Sequence, residues 1–293
     1  MTEWRTHAVA VDGGDLAVAE TGPEDGPVLL AIHGITASSR SFAALVGALP
    51  EVRIVAPDLR GRARSNDLPG PYGLRRHAQD VRHVLHALRL DSVVALGHSM
   101  GGFVTLLAAA DEQERIASVV LVDGGLPLTP PPGVDLDAID PKALLGPAFE
   151  RLTRVFPSRA EYEQFWIGHP AFAGQWSDDL AEYVDYDLDE VPGGFRPSAV
   201  PDAVAADQRE LFGPEWYVEA LHSVHQPVVV LRAPLGLQAQ PPGLYPPGAL
   251  EAARQELPQL RIVEVPGVNH YTIVMASPGV DEVAAAVRTA LNN

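Results

Sequence analysis

The pentapeptide GHSMG at residues 97–101 is the part of the chain best suited to covalent chemistry. It has the form G-x-S-x-G, in which a serine lies on a sharp turn between a strand and a helix, and small flanking residues let the two elements pass each other. The apolar stretch SVVALG (92–97) directly precedes it, and a helical pattern follows from Gly101. This context predicts Ser99 as a nucleophile; the alternative is a glycine-rich turn without chemistry.

A serine hydroxyl is a weak nucleophile at neutral pH and needs an adjacent base. Histidine suits this role because it accepts and returns a proton near pH 7. Of the ten histidines, His270 is placed best, since it follows the apolar stretch LRIVEV (260–265) by five residues, in a Pro-Gly loop. We therefore expect His270 at the same sheet edge as Ser99. The alternative is a histidine in a surface loop.

Short apolar runs alternate with helical patterns over the first 123 residues, which predicts a parallel sheet with helices on both faces. Residues 124–225 interrupt this pattern, because they contain a proline cluster and acidic stretches but no clear buried strand. Strands are predicted again at 227–232 and 260–265, with helices at 246–256 and 280–291. We predict a core formed by residues 1–123 and 226–293, and an inserted helical cap at 124–225.

Aromatic residues are concentrated in the predicted cap. Residues 149–217 contain 13 of the 19 Phe, Trp and Tyr residues of the chain. A small helical subdomain needs large side chains for its own core, but some of them could line an apolar slot beneath a lid. Phe165, Trp166 and Trp176 are the residues that we nominate as pocket-lining.

Composition excludes several classes of function. The 293-residue chain has a net charge of −17 and no cysteine, so it lacks a basic surface for nucleic acid and an attraction to anionic membranes, and it cannot use a thiolate nucleophile. Its apolar runs are too short for a membrane span, and its N-terminus lacks the features of a signal peptide. We expect a cytoplasmic protein. Metal-ligand, P-loop and dinucleotide-binding motifs are not found, so no metal and no cofactor are predicted.

Beyond the pentapeptide, the chain resembles the α/β-hydrolase family over nearly all of its length. The resemblance is carried by AIHGITASS (31–39), by PDLRGRARS (57–65), by GHSMGG (97–102) and by VPGVNH (265–270). The second glycine of the family's D-x-R-G-x-G-x-S loop is Ala63 here. The resemblance implies an α/β-hydrolase fold, with a mostly parallel eight-stranded sheet flanked by helices and an inserted helical cap. It also implies a Ser-acid-His hydrolase.

The acid departs from the commonest family pattern. It usually follows the strand that matches PVVVLR (227–232), but the loop RAPLGLQAQ (232–240) contains neither Asp nor Glu. Some members carry the acid one strand earlier, where Asp123 stands before two glycines. There it would accept a hydrogen bond from His270 and stabilise the imidazolium. The alternative is that Asp123 only caps the loop into the lid.

A tetrahedral intermediate also needs two backbone N–H donors for its oxyanion. The residue after the nucleophile, Met100, supplies one. The resemblance implies Ile35 as the second donor. Simple packing is the alternative for both residues.

The predicted partner is a small-molecule ester or lactone that is apolar or aromatic, and the predicted reaction is its hydrolysis through an acyl-enzyme. A serine nucleophile excludes the family's haloalkane dehalogenases and epoxide hydrolases, which attack with an aspartate. A C–C bond hydrolase or a perhydrolase would use the same triad. A ligand receptor with the hydrolase fold is the non-catalytic alternative.

Overall fold

The structure is a computed structural model that describes residues 3–130 and 146–292. Its centre is an eight-stranded sheet with the order β1-β2-β4-β3-β5-β6-β9-β10. β2 is antiparallel to β1 and to β4, and all the other neighbouring strands are parallel. The predicted sheet is confirmed. The strands of this sheet are β1 Arg5–Val11, β2 Gly14–Thr21, β3 Val28–Ile32, β4 Arg53–Pro57, β5 Val93–His98, β6 Ile116–Val122, β9 Val228–Arg232 and β10 Leu260–Glu264.

The central strands are apolar because both of their faces are covered by helices. In β5, Val93 and Ala95 pack into one hydrophobic cluster, and Val94 and Leu96 pack into a second cluster on the opposite face. The first cluster includes side chains of α2 and α3, and the second includes side chains of α1 and α10. The α-helices are α1 Ala43–Ala48, α2 Leu74–Ala87, α3 Met100–Asp111, α4 Pro147–Glu150, α5 Arg159–Ile167, α6 Asp178–Tyr186, α7 Pro201–Glu210, α8 Glu215–Leu221, α9 Thr272–Met275 and α10 Gly279–Leu291.

Between β6 and β9 the described residues are mainly helical, as predicted, but they also form a small hairpin. Strands β7 (Leu188–Val191) and β8 (Gly194–Pro197) pair antiparallel in a sheet of their own. The sequence pattern did not reveal them, because each has only four residues and neither is apolar throughout. Gly193 in their turn and Gly194 at the start of β8 both have positive φ (92° and 146°), a conformation that glycine adopts without steric cost.

The last two helices of this segment pack directly on the core of the fold. The ring of Tyr217 in α8 lies 5.3 Å from that of Phe103 in α3. Val204 and Leu211, from α7 and the residue after it, share a hydrophobic cluster with side chains of α2 and α3. This part of the insertion therefore lies against the sheet-covering helices.

One predicted helix is not observed. Residues 246–256 form turns and a single 3-10 turn, Ala252–Gln255. Two consecutive prolines and Gly248, which has a φ of 83°, begin this segment and prevent a regular helix. The predicted C-terminal helix at 280–291 is confirmed as α10.

None of the helices in the described ranges combines the length and the apolar character needed to cross a bilayer. The cytoplasmic location stays a prediction.

Candidate active site

Ser99 occupies a strained turn between β5 and α3. Its φ of 55° and ψ of −125° are rarely adopted by residues other than glycine. The turn is tight, because a Cβ on Gly101 would lie 2.1 Å from the carbonyl oxygen of Ile32. A non-glycine residue in such a conformation costs about 1–3 kcal/mol, and strain of this kind clusters at functional sites. The turn makes Ser99 part of the wall of a cavity while its neighbours remain buried.

Asp123 and His270 form a hydrogen-bonded pair beside this turn. His270 Nδ1 donates to Asp123 Oδ2 over 2.7 Å, and the Asp123 side chain is fully buried. The other carboxylate oxygen of Asp123, Oδ1, accepts a hydrogen bond from the backbone N–H of Ala233 at 3.1 Å. Asp123 directly follows β6 and also has a positive φ, 44°. The pair leaves Nε2 of His270 available to a hydroxyl.

The structure brings Ser99 and His270 to the same cavity. Within the described residues, no hydrogen bond joins Ser99 Oγ to the imidazole. Such contacts are often long in unliganded enzymes and shorten when the substrate binds. The arrangement therefore fits a nucleophile, a base and an orienting acid.

A second histidine, His98, holds the backbone of His270 in place. His98 Nε2 donates to the backbone carbonyl oxygen of His270 at 2.8 Å, and the two rings lie 4.8 Å apart. Burial, and then the nearby His270, lower the pKa of His98 to about 3. His98 is therefore neutral at physiological pH and holds the His270 backbone without adding a charge to the site.

The loop after β3 is held by a buried imidazole. His33 Nδ1 donates to the carbonyl oxygen of Gly34 at 2.8 Å, and its Nε2 accepts from the backbone N–H of Leu59 at 2.9 Å. Burial lowers the pKa of His33 to about 3, so the ring is neutral. The bond to Gly34 orients the planar peptide whose N–H belongs to Ile35, because carbonyl and N–H point in opposite directions in a trans peptide.

Met100 is the first residue of α3, where backbone N–H groups have no partner within the helix. Met100 and Ile35 both line the cavity that contains Ser99. The two residues predicted to supply backbone donors are thus on the same cavity wall as the serine.

The cavity has a volume of about 340 Å³ and lies between the C-terminal ends of the strands and the insertion. Its wall is largely apolar. Sequence reasoning missed three groups of wall residues: aromatic side chains at 183, 212 and 271, the amide of Gln208, and the loop between β9 and β10. This loop contributes Leu237, Pro242, Gly243, Leu244 and Pro246. Only Tyr271 had a signal in the sequence, because it follows His270.

The three aromatic residues predicted to line the pocket lie elsewhere. Phe165 and Trp166 pack within the insertion, where the Trp166 ring lies 5.6 Å from that of Phe172 and is 3% exposed. Trp176 lines a separate surface cleft beside Ala44 and Met275. These three side chains are absent from the described wall of the cavity, because most of the large side chains of this small subdomain form its own core.

A buried polar cluster also stabilises the insertion. Arg151 pairs with Asp187 at 2.5 Å, and both contact the hydroxyl of Tyr162. All three side chains are buried. The cluster connects the 3-10 turn Arg151–Thr153 to the residue before β7.

No group of three or more His, Asp or Glu side chains with metal-binding geometry occurs in residues 3–130 and 146–292. The absence of a metal and of a cofactor stays a prediction.

Comparison with known protein families shows which family this chain belongs to. Residues 27–192 match the family model described as the alpha/beta hydrolase fold. The match covers more than half of the chain, and the chain belongs to this family.

Individual relatives and solved structures agree with the class. The chain is 28% identical to 2-(acetamidomethylene)succinate hydrolase of Mesorhizobium japonicum, over 87% of this chain and 85% of the relative. It is 30% identical to Lipase LipV of Mycobacterium tuberculosis, over 60% of this chain and 61% of that protein. A crystal structure of E-2-(acetamidomethylene)succinate hydrolase superposes with a TM-score of 0.79 at 25% identity, covering 99% of this chain and 100% of the other.

Proposed function

We propose that this protein is a serine hydrolase that cleaves a carboxylic ester or lactone of an uncharged, largely apolar small molecule. The observation that carries the proposal is the 2.7 Å hydrogen bond from His270 Nδ1 to the buried Asp123, at a cavity that also contains the strained Ser99. A carboxylate that holds one imidazole nitrogen leaves the other free to accept the proton of the serine.

The mechanism divides the reaction into two acyl transfers. Ser99 Oγ attacks the substrate carbonyl carbon while His270 Nε2 takes the hydroxyl proton, and the backbone N–H groups of Met100 and Ile35 stabilise the oxyanion. His270 then gives its proton to the leaving alcohol, and the C–O bond breaks to leave an acyl-enzyme. A water molecule, deprotonated by His270, then attacks the acyl-enzyme carbonyl, and the C–Oγ bond breaks as His270 returns the proton to Ser99 Oγ, which releases the acid. Asp123 stays ionised and stabilises the imidazolium.

The cavity wall indicates which substrates fit. Its volume of about 340 Å³ is within the range of sites for small organic molecules. Among the described wall residues there is no Arg or Lys, and the whole chain has a net charge of −17. A carboxylate-bearing substrate normally needs a cationic side chain to replace its hydration.

The described cavity wall does not suit the kind of substrate that the Mesorhizobium relative is named for. That relative is named for a succinate, which carries two carboxylates. We therefore propose that the present protein prefers neutral esters to dicarboxylates. A C–C bond hydrolase would use the same three residues and is the second candidate for this triad.

Labelling with a fluorophosphonate tests the nucleophile without knowledge of the substrate. We expect rapid modification of Ser99 alone, located by peptide mass spectrometry, together with hydrolysis of p-nitrophenyl butyrate. Ser99→Ala should lose both, and Ser223→Ala, which changes an exposed serine, should retain both. Folded protein that neither reacts nor turns over esters, but is stabilised by a small molecule, would contradict the proposal and favour a receptor.

A further inference from the structure

Gln208 is a buried amide in the wall of the catalytic cavity. It lies near the C-terminal end of α7, is 2% exposed, and lines the same cavity as Ser99. Nothing in the sequence pattern distinguishes it from the other polar residues of this helix. Gln208 takes no part in the proposed reaction of Ser99, His270 and Asp123.

The two polar atoms of this side chain lack partners. In the described part of the chain, neither Oε1 nor Nε2 of Gln208 has a hydrogen-bond partner, although both are buried. A carboxamide can donate two hydrogen bonds and accept two. Buried polar groups are nearly always paired, and an exception calls for an explanation by function.

The preceding residue holds α7 firmly against the core. Asp207 Oδ1 accepts a hydrogen bond from the backbone N–H of Gly73 at 2.7 Å, and Oδ2 contacts His77 Nε2 at 2.9 Å and Arg62 Nη2 at 2.5 Å. One turn along, Glu210 accepts from the N–H of Leu74 at 2.6 Å. These contacts fix the backbone that carries Gln208.

The guanidinium of Arg62 also contacts the loop after β3. Arg62 Nε donates to the carbonyl oxygen of Ile35 at 3.0 Å. One buried arginine therefore contacts both the loop that carries a proposed oxyanion donor and the carboxylate next to Gln208. The backbone that carries Gln208 is thereby held in a set position relative to the loop of Ile35.

We propose that Gln208 hydrogen-bonds an uncharged oxygen group of the substrate, a hydroxyl or a ketone, that lies away from the scissile ester bond. The inference rests on the proposed function and narrows its substrate class to oxygen-bearing apolar esters. A neutral amide selects neutral polar groups, and a pocket built for such a bond rejects analogues that lack it.

The test uses p-nitrophenyl hexanoate, its derivatives with one oxo group at carbon 4 or 5, and its derivatives with one hydroxyl group at carbon 3 or 6, each corrected for its rate without enzyme. For the wild-type protein we expect kcat/KM of at least one oxo and one hydroxy ester to exceed that of the plain ester by tenfold or more. Gln208→Leu should remove this preference, so that its kcat/KM values for the plain and the oxygenated esters agree within about twofold. Gln164→Leu, which changes an exposed glutamine of α5, should keep the wild-type preference.

A second variant, Gln208→Glu, distinguishes a hydrogen bond to the substrate from a role of Gln208 in packing. Gln208→Glu, when ionised, can only accept hydrogen bonds, so it should keep a preference for the hydroxy ester and lose it for the oxo ester. Leucine removes an unpaired amide, so the melting temperature of Gln208→Leu should equal or exceed that of wild type. If Gln208→Leu fails to fold, the Gln208→Glu comparison decides.

Equal relative rates for plain and oxygenated esters in wild type and variants would overturn the role of Gln208 in an active hydrolase. So would a lower melting temperature of Gln208→Leu with an unchanged preference, since that marks a structural amide. Failure of the proposed function looks different: no ester is hydrolysed and the fluorophosphonate leaves Ser99 unmodified.

Discussion

Asp123 uses its two carboxylate oxygens for different purposes. Oδ2 accepts from the imidazole of His270, and Oδ1 accepts from the backbone N–H of Ala233. The first bond sets the tautomer of the histidine, and the second fixes the plane of the carboxylate. The orientation of Asp123, which follows β6, therefore depends on Ala233, the first residue after β9.

Replacing Asp123 with Asn tests the first of these bonds. An amide N–H facing Nδ1 would favour the wrong tautomer of His270, with its proton on Nε2 toward the serine. We expect kcat for p-nitrophenyl butyrate to fall by about 10³–10⁴-fold with an unchanged circular dichroism spectrum. Asp25→Asn, in an exposed turn, should behave as wild type. Activity near the wild-type level in Asp123→Asn would rule out Asp123 as the triad acid.

At the scale of the elements, the strand-to-helix turn depends on a close backbone approach. Gly101→Ala would place a methyl group 2.1 Å from the Ile32 carbonyl oxygen, whereas the same change at the exposed Gly47 in α1 meets nothing within 4 Å. We expect Gly47→Ala to stabilise the protein by about 0.5–1 kcal/mol and Gly101→Ala to destabilise it by about 3 kcal/mol or more. Urea denaturation measures both. Similar effects of the two changes would show that α3 can shift away from β3.

The attachment of α7 to the core depends on a buried charge. Burial alone would raise the pKa of Asp207, but Arg62 and His77 lower it to about 2. Asp207→Asn leaves Arg62 buried without its partner, which should cost about 3–5 kcal/mol at pH 7. The exposed Asp202→Asn in the same helix is the matched control.

The destabilisation caused by Asp207→Asn should depend on pH, and the lowered pKa of Asp207 gives the direction of this dependence. The folded-state pKa of Asp207 lies below its unfolded value of about 3.9, so the stability that its ionisation contributes is present above about pH 4. It is lost as the pH falls toward 2. The difference in unfolding free energy between wild type and Asp207→Asn should therefore shrink over that interval, and a constant difference would contradict the pairing.

The elements also show what the sequence can and cannot predict. The placement of Ser99, Asp123 and His270 at one edge of the sheet was predictable because each follows a parallel strand, and the ends of parallel strands meet at that edge. The hairpin β7–β8 was not, since its strands are short and not continuously apolar. Gln208 and Tyr183 were not identified because periodicity within a cap helix does not reveal which face meets the cavity. That depends on how the insertion packs on the core.

At the scale of the whole molecule, two neutral buried histidines make stability depend on pH near neutrality. The pKa values of His33 and His98 are both about 3 in the folded protein, below the unfolded value of about 6.5. Their contribution is complete above about pH 6.5 and is lost as the pH falls, because the unfolded chain binds the protons first. Each should lower the unfolding free energy by about 1.4 kcal/mol per pH unit in this interval.

Denaturation of wild type and His98→Gln between pH 7.5 and 4.5 measures one of these contributions. Glutamine keeps an N–H for the His270 carbonyl but does not titrate. The variant should therefore lose stability less steeply on acidification, by about 1.4 kcal/mol per pH unit. His225→Gln, at an exposed site, should keep the wild-type slope. An unchanged slope in His98→Gln would mean that His98 is protonated in the folded state.

Because Asp123 follows β6, the loop between β9 and β10 does not have to supply the acid of the triad. This loop gives Asp123 the backbone N–H of Ala233, and its residues between 237 and 246 form one side of the cavity. The side chains of Leu237, Leu244 and Pro246 line the cavity without a hydrogen bond to the reacting groups. Gly243 and Tyr245 are constrained, because a Cβ on Gly243 would lie 2.2 Å from the carbonyl oxygen of Ala233 and the buried Tyr245 hydroxyl hydrogen-bonds the backbone of Leu126. Substrate range in this protein can thus be redesigned by randomising positions 237, 244 and 246 of one loop while the reacting groups are kept constant.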